Sequence, residues 1–223
     1  MKRLFDFVVS LFIIIIISPF LLPVLIILRF TGEGEVFYRQ NRVGKDGKTF
    51  KLLKFATMLK NSPDLGAGLL TEKNDPRILP FGKLLRSTKI NELPQLFNII
   101  SGDMSLVGPR PQAPKHFEVF PEHVKKEIIQ LKPGLTGIGS IIFRDEESIL
   151  HEYGGDPNDF YNKVIAPYKG ELEIWYKNNA TVYLNFLLLF LTGYVILFQK
   201  SKLPFKLFKS LPEPPELLKN FLV

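Results

Sequence analysis

No cysteine occurs anywhere in the 223 residues. A disulfide scaffold, a zinc finger, an iron–sulfur protein and a cysteine nucleophile are all excluded by that absence. Histidine is scarce as well: His116, His123 and His151 have no partner at metal-ligand spacing and read as surface or packing residues. There is no internal repeat and no low-complexity tract. The common ligand motifs are missing too. Gly47-Lys48-Thr49 could end a phosphate-binding loop, but the glycine required at its start falls on Arg42. Gly66-Ala67-Gly68 lacks the third glycine of a dinucleotide fingerprint, and G-x-S-x-G does not occur.

Hydrophobic residues make up 46% and charged residues 23%, which excludes a disordered or collagen-like chain. The charged middle excludes a multispan transporter. Mean hydropathy is nevertheless positive, at +0.10, so apolar residues must be concentrated somewhere. Lys and Arg number 29 against 22 Asp and Glu, a net charge of +7 that points to an anionic partner. A nucleic-acid role lacks support, because neither an aromatic sheet motif nor a helix-turn-helix signature is present.

The apolar concentration is Phe7–Leu28, 22 residues without a charge. As a helix it would extend roughly 33 Å, about the thickness of a bilayer core. It is too long for a signal peptide, and no small-residue cleavage site follows it. Pro19 and Pro23 predict a kink or break near its middle. Lys2 and Arg3 precede the run, while Arg29, Arg39, Arg42 and Lys45 follow it. A crossing helix has basic residues mainly on one flank. Two readings stand: a re-entrant helix bent at Ser18-Pro19, and a kinked spanning helix. A second apolar stretch, Val182–Phe198, has 17 residues and is short for a span. The tail after it mixes Lys200, Lys202, Lys206 and Lys209 with Leu and Phe, a pattern suited to an anionic membrane surface.

Three regions follow: a membrane helix at 1–30, a catalytic or binding domain at 31–181, and a membrane-associated helix and basic tail at 182–223. The expected fold class is α+β, mostly helical, with a small β-hairpin. Val36–Arg42 and Lys48–Phe55 predict its strands, around an Asp46-Gly47 turn. Residues 60–75 read as a loop. Helices are expected over Phe81–Arg86, Leu93–Ile100, Pro121–Leu131 and Glu171–Lys177.

One region concentrates unusual residues: Asp75-Pro76-Arg77, Leu85-Arg86, Lys89-Ile90-Asn91-Glu92-Leu93-Pro94-Gln95-Leu96, and Gly102 to Pro111. Arg110 stands between Pro109 and Pro111, so its backbone has few conformations to lose. It suits phosphate oxygens, and equally a surface loop. Glu92 precedes a helix start, where the helix dipole favours an acid and where a catalytic carboxylate would also fit.

At these residues the chain resembles the bacterial sugar transferases, the monotopic phosphoglycosyl transferases, from Lys2 to about Thr192. Ser18-Pro19 matches the break of that family's re-entrant helix. Phe37-Tyr38-Arg39-Gln40, Arg42-Val43-Gly44, Gly47-Lys48, Lys54-Phe55, Asp75-Pro76-Arg77, Leu85-Arg86, Glu92 to Leu96, Gly102 to Pro111 and Lys132 to Gly137 follow in order. The resemblance implies transfer of a sugar 1-phosphate from a UDP-sugar to polyprenyl (undecaprenyl) phosphate, releasing UMP, in the first membrane step of surface glycan assembly. It implies Mg²⁺ at Asn91 and Glu92, catalysis by the same two residues, and substrate phosphates on Lys54, Arg77, Arg86, Arg110 and Arg144. It places the catalytic domain on the cytoplasmic face of the bacterial inner membrane, and it admits a homo-oligomer. The family's Asp-Glu dyad is Asn91-Glu92 here. Three accounts of that change stand: Glu92 as nucleophile, direct transfer between substrates, or a catalytically silent membrane-anchored scaffold. Ala56, Gly139-Ser140 and Phe143 also depart from the family pattern.

Overall fold

The computed structural model describes residues 2–62, 65, 75–198 and 201–222. Most of the expected 60–75 loop, including Pro63, Gly66 and Gly68, lies outside the described residues, as does Lys200 of the tail. The chain forms two compact units. The first holds residues 1–41 and 51–104, and the second holds 42–50 and 105–223. The three regions read from membrane affinity cut across these units.

In the first unit, helix α1 runs Lys2–Phe30 and contains both prolines. The helix is not interrupted where the sequence predicts a break. Pro19 has no N–H to donate to the carbonyl four residues back, which is that of Ile15. The Ser18 hydroxyl donates to that same carbonyl at 3.0 Å, so the proline leaves no bare acceptor there. The first half of α1 has one polar face. Asp6 and Ser10 on it are buried, and the Arg3 guanidinium donates to the carbonyls of Ile99 and Ile100, the latter at 2.5 Å. Those carbonyls lie in the last turn of helix α3 (Gln95–Ser101), where the Gly102 amide also donates to Ile99 at 3.1 Å. The second half of α1 buries Leu28 against Phe55 and Leu85, with Leu21, Val24 and Leu25 packed on the same cluster. Both ends of α1 therefore rest on one unit. The other faces, including Phe12, Ile15, Phe20 and Ile26, are exposed.

Strands β1 (Phe37–Val43) and β2 (Thr49–Phe55) form the expected antiparallel hairpin. Asp46 (φ 57°) and Gly47 (φ 75°) turn it in the left-handed region, as an Asp-Gly pair can. Helix α2 (Pro80–Ser87) and α3 complete the first unit.

The second unit contains a short parallel pair that the sequence did not signal. Strand β3 (Ser105–Val107) lies beside β4 (Gly134–Thr136), pairing Ser105 with Gly134 and Val107 with Thr136. Three-residue strands are too short to carry a readable alternation. Helices α4 (Pro114–Glu118) and α5 (Glu122–Ile128) separate the two strands, and α6 (Ile138–Ile142), α7 (Glu146–Tyr153) and α8 (Pro157–Phe160) follow β4. A π turn over Tyr161–Ile165 leads into α9 (Ala166–Asn179), which buries Leu172 and Tyr176 completely or nearly so. Gly170 of α9 meets Val124 of α5 where a Cβ would stand 2.5 Å from the valine. Helix α10 (Val182–Leu197) buries Leu184, Leu188, Leu191 and Val195, a single stripe at helical spacing, and exposes Tyr183, Phe186 and Phe190. Its inner stripe makes it part of this unit. Helices α11 (Leu203–Leu207) and α12 (Glu216–Leu222) end the chain, and Leu218 of α12 is fully buried.

Candidate functional site

In the first unit, Lys89 adopts φ 60°, an uncommon conformation for a side chain with a Cβ. It starts a single 3₁₀ turn, Ile90–Glu92. Pro94 then fixes the entry into α3. The turn presents Asn91 and Glu92 in succession. Asn91 is 5% exposed, and its Oδ1 has no hydrogen-bond partner among the described residues. A buried amide oxygen without a donor is costly and suits a cation. The Glu92 carboxylate lies 3.5 Å from Lys54 Nζ, with both side chains largely shielded.

Lys54 reaches this place because β2 is held by Asn98, a residue that sequence reasoning passed over. Asn98 Oδ1 accepts the Leu53 amide at 2.9 Å, and Nδ2 donates to the Lys51 carbonyl at 2.9 Å. The two bonds fasten the open edge of β2 to α3, one turn after Pro94. Asn98 sits within the Glu92–Pro111 stretch, but an asparagine in a helix carries no signal of a strand partner.

Of the residues expected at the site, the structure brings Lys54, Asn91 and Glu92 together. Arg86 is half-buried on α2, with Nη1 3.8 Å from Met58 Sδ. Arg77 has a structural role. Its Nε and Nη2 grip both Asp75 oxygens at 2.6–3.1 Å, and Nη1 donates to the carbonyls of Ser62 and Leu65 at 2.8 and 2.6 Å. It is 5% exposed, and these donors are turned on its own chain, so it fastens a loop. Asp75-Pro76-Arg77 is a structural motif.

In the second unit, Arg110 and Arg144 are both half-buried. The carbonyls on either side of Arg110 are both tied. Gly134 donates to the Pro109 carbonyl at 2.8 Å, and Arg42 Nη1 donates to the Pro111 carbonyl at 3.2 Å. The Glu173 carboxyl of α9 lies against Gly139, where a Cβ would stand 2.5 Å from its Oε1. Glu173 is 5% exposed, and burial pushes its carboxyl up to about 7 against the pull of nearby backbone and of Lys169. Lys169 is itself buried and paired with Glu146. Burial, reinforced by Arg42, holds His116 below its ordinary range. Glu173 and Lys169 were not anticipated either. Their spacing with Leu172 and Tyr176 on one helix is the available clue, because it puts charges on a face that the apolar residues mark as buried.

Among the described residues no group of three or more acidic or histidine side chains is arranged for a metal. Asn91 Oδ1 and the Glu92 carboxylate are two hard oxygen donors, which fits an ion that takes one or two protein ligands and completes its shell with substrate phosphates.

The sequence matches the family described as bacterial sugar transferase over residues 1–199. It is 36% identical over 203 residues to a UDP-glucose:undecaprenyl-phosphate glucose-1-phosphate transferase of Klebsiella pneumoniae, covering 90% of this chain and 41% of that protein. It is 34% identical over 212 residues to an undecaprenyl-phosphate galactose phosphotransferase of Salmonella typhimurium, covering 88% and 40%. It is also 36% identical over 165 residues to the exopolysaccharide production protein ExoY of Sinorhizobium fredii, covering 66% and 71%. The chain thus spans about two fifths of the length of the first two relatives. With a match that runs from the apolar helix through α10, the chain belongs to the bacterial sugar transferase family.

Proposed function

We propose that this chain transfers a sugar 1-phosphate from a UDP-sugar to polyprenyl phosphate, giving a polyprenyl diphosphate sugar and UMP. The observation that carries the reading is the buried turn of Asn91 and Glu92 facing Lys54, in the same unit as an apolar helix of membrane length. Two of the relatives named above, those of Klebsiella pneumoniae and Salmonella typhimurium, are by name transferases of undecaprenyl phosphate. In the reaction, the phosphorus bearing the sugar gains an oxygen from the acceptor, and its bond to the UMP oxygen breaks. Lys54, beside the dyad in the same unit, offsets phosphate charge, and Arg110 is the arginine of the second unit proposed for a substrate phosphate. Glu92 is the carboxylate left in the dyad, since the Asn91 amide neither ionises nor attacks well. Mg²⁺, held by Asn91 Oδ1 and Glu92, would supply further charge neutralisation when bound.

The membrane placement belongs to the same proposal. Helix α1 enters the cytoplasmic face of the bacterial inner membrane and returns to it, while α10 and the basic tail lie along the surface. A helix that crosses a bilayer holds its ends roughly 30 Å apart on opposite sides. Here Arg3 at one end and Leu28 at the other both contact the first unit, and the polar face of α1 is turned inward. Tags at residues 2 and 35 should be labelled from the same side. Labelling from opposite sides refutes the placement. For the chemistry, UMP release is measured over a panel of UDP-sugars with undecaprenyl phosphate and Mg²⁺. Release with one sugar nucleotide supports transfer, and none with any favours a silent scaffold, the reading that Asn91 otherwise suggests.

A further inference from the structure

Helix α10 carries no charged residue, and apart from its two tyrosines its polar side chains are Asn185 and Thr192. Seven residues apart, they share the helix face that buries Leu188. Apolar packing alone calls for neither. Each reaches a different strand of the parallel pair. The Thr192 hydroxyl donates to the Leu188 carbonyl at 2.7 Å, which uses its one hydrogen. The Thr136 hydroxyl of β4 is therefore the donor in its 2.5 Å bond to Thr192 Oγ1, and Thr136 is 4% exposed. Asn185 Oδ1 accepts from the Tyr176 hydroxyl at 2.8 Å, and the same hydroxyl lies 3.3 Å from the Val107 carbonyl at the end of β3.

From these two contacts the strands lead to Arg110 with little slack. Gly108 follows β3 directly and donates its amide to the Thr136 carbonyl at 2.9 Å. A Cβ on Gly134 would stand 2.1 Å from the Gly108 nitrogen, and one on Gly137 would stand 2.2 Å from the Gly108 oxygen. Backbone thus meets backbone on both sides of Gly108, where no side chain would fit. The Gly134 amide donates to the Pro109 carbonyl at 2.8 Å. Pro109 and Pro111 then fix φ on either side of Arg110. A shift of either strand is passed to the Arg110 backbone. We infer that Asn185 and Thr192 of α10 are positioning residues of Arg110: they hold the strand pair on which the arginine loop is seated, and so fix where the guanidinium is presented. The inference rests on the proposal that Arg110 binds a substrate phosphate. It also gives a task to Lys132–Gly137, the stretch that supplies Gly134, Thr136 and Gly137 and that the proposed reaction leaves unused.

The test uses the full chain in membrane-mimetic discs, with two readouts. The first is hydrogen exchange of the Gly108 and Gly134 amides, which needs no activity. Thr192→Val keeps the shape and removes the hydroxyl; it should speed that exchange ~10-fold, the scale of one buried donor left unpaired. Asn185→Leu should act in the same direction from the other strand, while Thr192→Ser, which keeps the hydroxyl, should stay within a few-fold of wild type. The second readout is kcat/KM for the UDP-sugar in a double-mutant cycle with Arg110→Ala. Thr192→Val should lower kcat/KM ~10-fold where Arg110 is present and by less than ~2-fold where it is absent. A residue that served stability alone would lower both by the same factor. If Thr192→Val does not fold, Asn185→Leu carries both measurements. Unchanged exchange of both amides overturns the inference whatever the activity. So does an equal loss of kcat/KM with and without Arg110. Absence of turnover in the wild type counts against the proposed reaction and leaves the exchange measurement to decide the inference.

Discussion

Replacing Arg77 separates a structural arginine from a phosphate-binding one. Asp75 is 4% exposed, and Arg77 supplies its counter-charge through three contacts of 2.6–3.1 Å. Arg77→Met would take this counter-charge from a buried carboxylate, and its donor from the Ser62 and Leu65 carbonyls. Breaking a buried pair by removing one partner costs about 3–5 kcal/mol. The two abandoned carbonyls regain water in part, so the lower half of that range is the better estimate, about 3–4 kcal/mol. That is a large fraction of a total stability of roughly 5–15 kcal/mol. Asp75→Asn with Arg77→Met removes both charges together and should recover half or more of the loss. The assay is urea unfolding followed by tryptophan emission from Trp175, with a thermal melt of the protein in discs as a second probe. If Arg77→Met is as stable as wild type but loses UDP-sugar binding, the structural assignment is wrong and the arginine belongs with the substrate.

Three further outcomes are expected. Arg110→Ala should lower turnover by at least ~10²-fold, and Arg110→Lys should restore it only in part, because the planar fork is lost; steady-state kinetics on both variants reads this directly. Glu173 has a folded-state value of about 7 against 4.5 unperturbed, so folding takes up a proton between those pH values. Its stabilising share is complete below 4.5 and declines as pH rises to about 7, amounting to about 3 kcal/mol at 1.36 kcal/mol per pH unit; Glu173→Gln should flatten that slope in unfolding experiments at pH 5 and 8. Asn98→Ala strands the Leu53 amide and the Lys51 carbonyl; it should cost about 2–3 kcal/mol and reduce kcat through Lys54, with kcat and melting temperature measured on one preparation.

How far the sequence could be read depended on the range of each interaction. The hairpin was legible because Asp46-Gly47 and the flanking β-branched and aromatic residues are local signals. Helices α2 and α5 were legible from spacing. Whether Pro19 and Pro23 kink α1 or break it was not, because the proline rule takes no account of a serine one residue earlier reaching the freed carbonyl. The β3–β4 pair escaped because its strands are three residues long and joined across α4 and α5. At the site, Asn91, Glu92 and Lys54 were all singled out, but their meeting depends on Asn98, whose role exists only once β2 and α3 are side by side. The Arg77–Asp75 pair was not legible for a related reason: Asp-Pro-Arg in sequence does not show that both side chains are buried against each other. Glu173 showed only through its spacing with Leu172 and Tyr176, which puts it on the buried face of α9.

The central claim is that the Asn91-Glu92 turn performs phosphosugar transfer. The most direct measurement is UMP release from the matching UDP-sugar, with and without undecaprenyl phosphate, in the natural chain, Glu92→Gln and Asn91→Asp. The account predicts release by the natural chain, its loss in Glu92→Gln with the fold intact, and equal or higher activity in Asn91→Asp. Release that needs the acceptor would indicate direct transfer, and release without it, together with a phosphosugar adduct on Glu92 in intact-protein mass spectrometry, a two-step route. Full activity in Glu92→Gln, or activity found in Asn91→Asp alone, would contradict the claim.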